Sequence, residues 1–257
     1  MNRLAVALTA FIGLIGPVYG KEGIGVTANT HTEANDAKAS MVHRVSTTYV
    51  IKNGGEKIGE ITSIREASRV ADAYVVQVRD DLTIDVKSFW SNYSLRSSET
   101  MKLNQLGLFE YHGKYLENGN TSQLNATIQN KQLTINAEGD GDDLSIQLEE
   151  SDYDATSEDA PWRFLRSGEP SRELKVLDFD DFEIKTIKFT NQGKHPVEIA
   201  NHHFDSHRIQ FKSKEKSGEQ WLVEDETGIW LLKESGKDSD GDYLIQLTDF
   251  KREPSEN

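Results

Sequence analysis

Apolar side chains recur at every second position through most of this chain, and clusters of Gly, Asn and Asp break the pattern at short intervals. Period-two alternation puts one set of side chains on a dry sheet face and the other on a wet one. Towards the C-terminus His207, Ile209 and Phe211 alternate with Arg208, Gln210 and Lys212. Trp221 and Val223 lead into a turn at residues 225–228, and Ile229, Trp230, Leu231 and Leu232 form a more apolar strand. A second turn at residues 237–241 precedes Tyr243, Ile245 and Leu247. This spacing predicts a β-meander.

The same scheme fills the middle of the chain. Val42 to Lys52 read as strand, and Asn53-Gly54-Gly55 is a strong hairpin signal because Asn and Gly accept positive φ. Tyr74, Val76 and Val78, then Leu82, Ile84 and Val86, alternate with polar residues, and Asp80-Asp81 between them is expected at a turn or bulge. Residues 97–108 suit strand better than helix because Phe109, Tyr111 and Tyr115 continue in β-type residues. Leu124 to Ile128, Leu133 to Ile135 and Leu144 to Leu148 predict three short strands. Asp159-Ala160-Pro161-Trp162 predicts a short helix, with Asp159 as N-cap and Pro161 in the first turn. Ile184, Ile187 and Phe189 change phase near Lys185-Thr186, which predicts a bulge, and Asn191-Gln192-Gly193-Lys194 predicts a turn. The fold class expected is all-β: a single antiparallel meander forming a curved sheet or barrel-like domain, with one short helix.

Residues 1–20 read as a signal peptide: Arg3, an apolar run from Leu4 to Ile15 too short to span a bilayer, and Val18-Tyr19-Gly20 before the cut. Residues 21–41 are expected to be a flexible linker, 42–250 the β domain and 251–257 a tail. The product is expected in the periplasm, without stable membrane insertion after cleavage. Cysteine is absent, so no disulfide staples the exported chain. The 29 basic residues against 43 acidic ones argue against nucleic acid as a partner.

Tyr49-x-Ile51, Gly55 and Ile58-Gly59 in the first hairpin resemble the opening of exported bacterial β proteins grouped as domains of unknown function 3108 and 6134. Glu117-Asn118-Gly119, the Pro161-Trp162 helix with the strands after it, and Trp221, Asp225 and Gly228 are similar too, in the same order. Leu222 departs from the pattern, which often has tyrosine after the late tryptophan. The resemblance covers about residues 42–250. It implies a periplasmic antiparallel β fold and no particular reaction.

Several clusters carry residue types that could do chemistry. Asp238, Asp240 and Asp242 around Gly241 offer hard oxygen ligands, but the glycine is misplaced for an EF-hand loop, and a polar hairpin turn explains them. Asp140, Asp142 and Asp143 around Gly141 read the same way. His203, His207 and Asp205 share a strand face in the manner of zinc ligands, beside His202; exposed strand histidines are the plainer account. Asp178, Asp180, Asp181 and Glu183 crowd a strand end, as a solvated acidic turn would. Trp90, Tyr93, Trp162, Trp221 and Trp230 are core aromatics first and cavity linings second. No residue is assigned a catalytic or metal-binding role, and no cofactor is implied. The expected function is a non-enzymatic periplasmic protein that binds an apolar or polymeric envelope component, a lipid or a glycan, or that assists envelope assembly. A carboxylate-dependent hydrolase of envelope glycans and a calcium-dependent structural protein are the alternatives.

Overall fold

The computed structural model describes residues 40–70, 73–87, 92–139 and 143–253. The signal-peptide reading, Trp90 and two of the aspartates near Gly141 lie outside them. The strands are β1 (Ser40–Asn53), β2 (Glu56–Val70), β3 (Ala73–Lys87), β4 (Asn92–Asn104), β5 (Gly107–Glu117), β6 (Asn120–Gln129), β7 (Gln132–Gly139), β8 (Leu144–Glu149) and β9 (Ala155–Thr156). The helix α1 (Ala160–Ser167) follows, then β10 (Ser171–Leu177), β11 (Ile184–Ile199), β12 (His202–Lys212), β13 (Ser217–Asp225), β14 (Gly228–Asp238) and β15 (Gly241–Glu253). Strand therefore begins two residues before the expected domain and ends three beyond it.

All fifteen strands form one sheet, ordered β8-β7-β6-β5-β4-β3-β2-β1-β15-β14-β13-β12-β11-β10-β9. Every pairing is antiparallel except β9 with β10. The meander is thus joined in its middle by β1 and β15, and its edges β8 and β9 are separated in sequence by residues 150–154 only. Edges so tethered force the sheet to curl. At the seam Asp154 imitates a strand: its N–H donates to the Lys175 carbonyl at 2.8 Å, and its Oδ2 accepts the Lys175 N–H at 2.8 Å. Across the curl Tyr111 of β5 meets Phe179 after β10, edge to face at 5.0 Å.

The helix closes part of the interior. Trp162 and Phe164 are buried, Phe164 stacks on Phe189 at 5.5 Å, and Gly168 ends the helix at φ 69°. Asp159 stands at the N-cap, but its carboxylate makes no cap bond to the helix. It accepts instead from the Thr156 N–H (2.8 Å) and hydroxyl (3.0 Å), the Leu108 N–H (3.2 Å) and Arg163 Nε (2.7 Å). One buried carboxylate therefore ties helix, seam and β5 together, a stronger use than a cap because each bond is charge-assisted.

Three local expectations are corrected. Asp80-Asp81 is neither turn nor bulge: β3 runs unbroken from Ala73 to Lys87 and pairs regularly with both neighbours. The β10–β11 ladder is regular through Lys185 and Thr186; the phase change arises because Ile184 simply faces solvent at 41 % exposure. The irregularity lies at residues 191–194, which are a bulge inside β11 with Gly193 at φ 87°, and the turn comes at Ala200 and Asn201, both at positive φ.

Candidate functional site

The inward residues of β2, β3 and β4 are apolar at both ends of each strand and polar in the middle. Along β3 the buried or half-buried phase is Val76, Val78, Asp80, Leu82, Ile84 and Val86. Along β4 it is Tyr93, Leu95, Ser97, Glu99, Met101 and Leu103. Along β2, Ser63 and Arg65 lie between Ile61 and Ala67. The apolar core is split accordingly. One cluster holds Ile61, Ile84, the helix and β10–β15; the other holds Ala67, Val78, Met101, Tyr111 and the inward residues of β6 and β7.

The polar residues between the clusters stand in one cross-strand row. Thr47 pairs with Ser63, Ser63 with Asp80, Asp80 with Glu99, and Glu99 with Gly113. Directly opposed side chains have Cβ atoms about 4.5–5.5 Å apart, so Asp80 and Glu99 are carboxyl neighbours on one wall. Gly113 ends the row because a Cβ there would stand 2.6 Å from the Tyr115 hydroxyl. The Tyr115 ring folds into that space, and its hydroxyl makes a short hydrogen bond with that of Tyr111. Glu158, between β9 and the helix, and Asp180, after β10, are two more carboxyls: the Asp180 charge is felt at Glu99, and the Glu99, Asp180 and Asp80 charges are felt at Glu158.

Burial sets the protonation of this row. Asp80 is 5 % exposed; burial raises it to about 6, against the pull of the Arg65 charge and the nearby Ser63 hydroxyl. Burial and then the Asp80 charge push Glu99 up to about 7, although Ser97 Oγ donates to it at 2.9 Å. Burial and then Glu99 hold Glu158 well above the carboxylate range. Asp180 is water-accessible yet walled in, and burial with Asp178 and Asp181 raises it to about 7. Two neighbouring carboxyls do not both ionise readily, and Asp80, Glu99 and Asp180 exchange protons near neutral pH. Asp80 Oδ1, Ser63 Oγ and Thr47 Oγ1 are buried with no hydrogen-bond partner.

A second interior carboxylate is handled differently. Glu234 of β14 accepts from Gln220 Nε2 (2.8 Å), the Tyr243 hydroxyl (2.7 Å) and Lys216 Nζ (2.9 Å). The Lys216 ammonium sits over the Tyr243 ring at 4.6 Å and the Phe211 ring at 5.5 Å, a cation–π box. Gly218 and Gly236 face each other between those rings and leave the space.

The residues singled out from sequence do not come together. Asp238 and Asp240 form the β14–β15 hairpin turn, where Asp238 Oδ1 accepts the Asp240 N–H at 2.8 Å; Asp242 is exposed opposite Lys237. Asp143 is exposed. His203 lies 3.8 Å from Glu198 and half-buried His207 3.9 Å from Glu224, while His202 packs on Phe250 at 5.1 Å and Asp205 is exposed. Among the described residues no three His, Asp or Glu side chains are placed to hold a metal ion. Of the acidic group near residue 180, Asp178 and Asp181 are both taken by Lys185, Glu183 is exposed, and Asp180 alone joins the row. Tyr93 is half-buried, pushed up to about 12 by burial and Glu117. Trp162 is core, with Arg166 over its ring at 5.3 Å. Trp230 is fully buried, stacked on Phe250 at 5.3 Å and edge-on to Phe204 at 5.6 Å. Trp221 is only half-buried, between Arg208 (5.4 Å) and Lys233 (4.7 Å).

Two surface grooves of about 520 and 460 Å³ cross β11–β15 and β3–β6. The larger carries Lys188, Lys212 and Lys237 but no buried titrating group; the smaller borders the polar row at Leu82, Ser97 and Tyr115. The row, with its buried charge and perturbed carboxyls, is the better candidate site. Asp80, Glu99, Arg65 and Glu158 were missed from sequence. The available signal was a charged residue in the dry phase of an alternating strand.

Among solved structures the chain is similar to a beta-barrel-like protein of a domain of unknown function (DUF1849) from Brucella abortus. The two share 9 % identity over 83 % of this chain and 98 % of that one, at a TM-score of 0.56, a likeness of fold. No curated protein matches. The family model described as a domain of unknown function (DUF6134) matches residues 49–246, well over half of the chain, and the chain therefore belongs to that family.

Proposed function

We propose that this chain is a non-enzymatic binding protein of the bacterial cell envelope. It holds a polymeric, hydrogen-bond-donating envelope component inside its curled sheet, against the Asp80–Glu99 row. The carrying observation is that row: adjacent inward carboxyls, with Asp80 Oδ1, Ser63 Oγ and Thr47 Oγ1 lacking partners in the middle of the wall. An apolar ligand is less supported, because the inward apolar residues are already packed into the two core clusters. The periplasmic setting rests on residues 1–20. Mass spectrometry of material that co-purifies from a periplasmic extract tests the reading. Hydroxyl- or amine-rich material retained by wild type and lost from Asp80→Asn supports it. Lipid retained equally by both proteins, or recovery of the chain only in the cytoplasm, rejects it.

A hydrolase of envelope glycans is favoured by one observation, that Glu99 keeps a proton near neutral pH as a general acid must. Against it, glycosidase carboxyls flank the sugar from opposite sides. Asp80 and Glu99 stand side by side on adjacent strands. Release of reducing ends from cell-wall glycan by wild type and not by Glu99→Gln would establish the hydrolase.

A further inference from the structure

The other buried carboxylates of this fold show what the chain does with interior negative charge. Glu234 has Lys216, Asp159 has Arg163 at 2.7 Å, and Asp178 has Lys185 at 2.8 Å. Asp225, whose side chain is 9 % exposed, has Arg252 at 2.6 Å. Each has its own cation. Glu99, Glu158 and Asp180 form no ion pair with any described residue. The groups facing Glu99 and Glu158 are Asp80 from β3 and Tyr111 and Tyr115 from β5, and the Arg65 charge from β2 is felt at Asp80. The Lys185 and Lys216 charges are felt at Asp180, but each lysine is already paired with another carboxylate. The row thus holds more carboxyls than cations among the described residues. The row also has the second mark of a site, a carboxylate oxygen, Asp80 Oδ1, that is buried and unpartnered.

We infer that the missing counter-charge comes from the ligand: the row binds an organic ammonium group, seated against the paired Asp80 and Glu99 in the way Glu234, Tyr243 and Phe211 seat Lys216. This rests on the reading of the row as a ligand site and names the chemistry of what enters it. No covalent step is involved. The ammonium keeps its proton, and the carboxyls give theirs to solvent as it binds.

Titration calorimetry of the purified full chain with 1,4-diaminobutane, in two buffers of different ionisation enthalpy, tests this. The expected result is binding with net proton release at pH 7 and roughly tenfold tighter affinity at pH 8 than at pH 6. 1,4-Butanediol of the same length should give no heat. Affinity should fall at least tenfold in Glu99→Gln and be lost in Glu99→Gln/Glu158→Gln. Asp180→Asn, at the water-accessible end, serves as a second variant should the others not fold; it is expected to weaken binding severalfold. Absence of diamine binding to wild type, or equal binding in folded variants, overturns the inference. Diol binding as tight as diamine binding also overturns it, yet leaves the row a site for hydroxyl-rich ligands. The co-purification experiment fails or succeeds independently.

Discussion

The wall formed by β13–β15 and the wall formed by β2–β4 come from the same meander but solve opposite problems. In β14, Ile229, Trp230, Leu231 and Leu232 are all buried. Leu231 pairs with Leu222 on the inner face, while Trp230 pairs with Val223 on the other. The far part of the β11–β12 hairpin brings Phe204 against Trp230 and Phe250, so that second face is dry as well. In β3, by contrast, Arg79, Asp81 and Asp85 face solvent, and the inner phase is interrupted by Asp80. Hydrophobic burial scales with the apolar area removed from water, so the doubly covered wall is where the fold's stability is concentrated. The wall with one wet face and a polar middle gives up that gain, and what it has in exchange is a set of titrating groups. Stability and site are assigned to different stretches of one sheet.

The comparison can be broken first at Trp230. Trp230→Ala should destabilise by about 3–5 kcal/mol, a large share of a typical domain's stability, and lower the urea midpoint accordingly. A loss below about 1 kcal/mol would show that the second covering layer contributes little. Next comes Lys216→Met, which strips the cation from a fully buried carboxylate. The expected cost is about 3 kcal/mol, largely recovered in Lys216→Met/Glu234→Gln, because the penalty is an unpaired buried charge. A double variant no better than the single would place the loss in packing.

The third prediction sharpens the contrast through pH. A carboxyl whose folded pKa is raised binds its proton more tightly in the native state. Its contribution to stability is favourable below the unfolded value near 4.5 and is lost as pH rises to about 7, where Glu99 ionises. Native stability should therefore fall between about pH 5 and pH 7, by on the order of 1–3 kcal/mol for the row. Glu99→Gln should flatten that slope in urea melts at stepped pH; an unchanged slope would remove Glu99 from the titration. The smallest effect is expected at Trp221, held half-exposed between Arg208 and Lys233. Trp221→Ala should cost about 1 kcal/mol, from two exposed cation–π contacts.

How much of this was legible is best seen strand by strand. The alternation of Leu124, Ala126 and Ile128 marks β6 without ambiguity, and Pro161-Trp162 marks the helix. Asp80 was misread because two adjacent aspartates look like a turn locally. In phase, however, Asp80 belongs with Val76, Val78, Leu82 and Ile84, and that period-two position outweighs local turn preference once both neighbouring strands are paired. Glu99 carries a similar mark between Ser97 and Met101. That Asp80 and Glu99 stand opposite each other is a matter of register, which depends on how β3 is joined to β4 and on both partner strands. Glu158 and Asp180 reach the row only because the sheet curls, and no local pattern records a curl.

The order of the sheet also dictates a schedule. Among the described strands β1 emerges first from any N-to-C synthesis or threading, yet its second neighbour, β15, is the last of them to exist: Thr47 waits for Phe250. Until then β1 keeps one bare edge, and closure must span nearly the whole domain. Such long sequence separation slows folding towards milliseconds or seconds and exposes the waiting edge to other chains. The tight link at residues 150–154 is the reverse case, since the strands on either side of it, β8 and β9, do not pair with each other. A break there, with the polypeptide rejoined elsewhere, would turn β9 and β8 into the first and last strands and leave every neighbour relation in the sheet local. That rearranged chain should refold faster than the natural one while keeping the same walls.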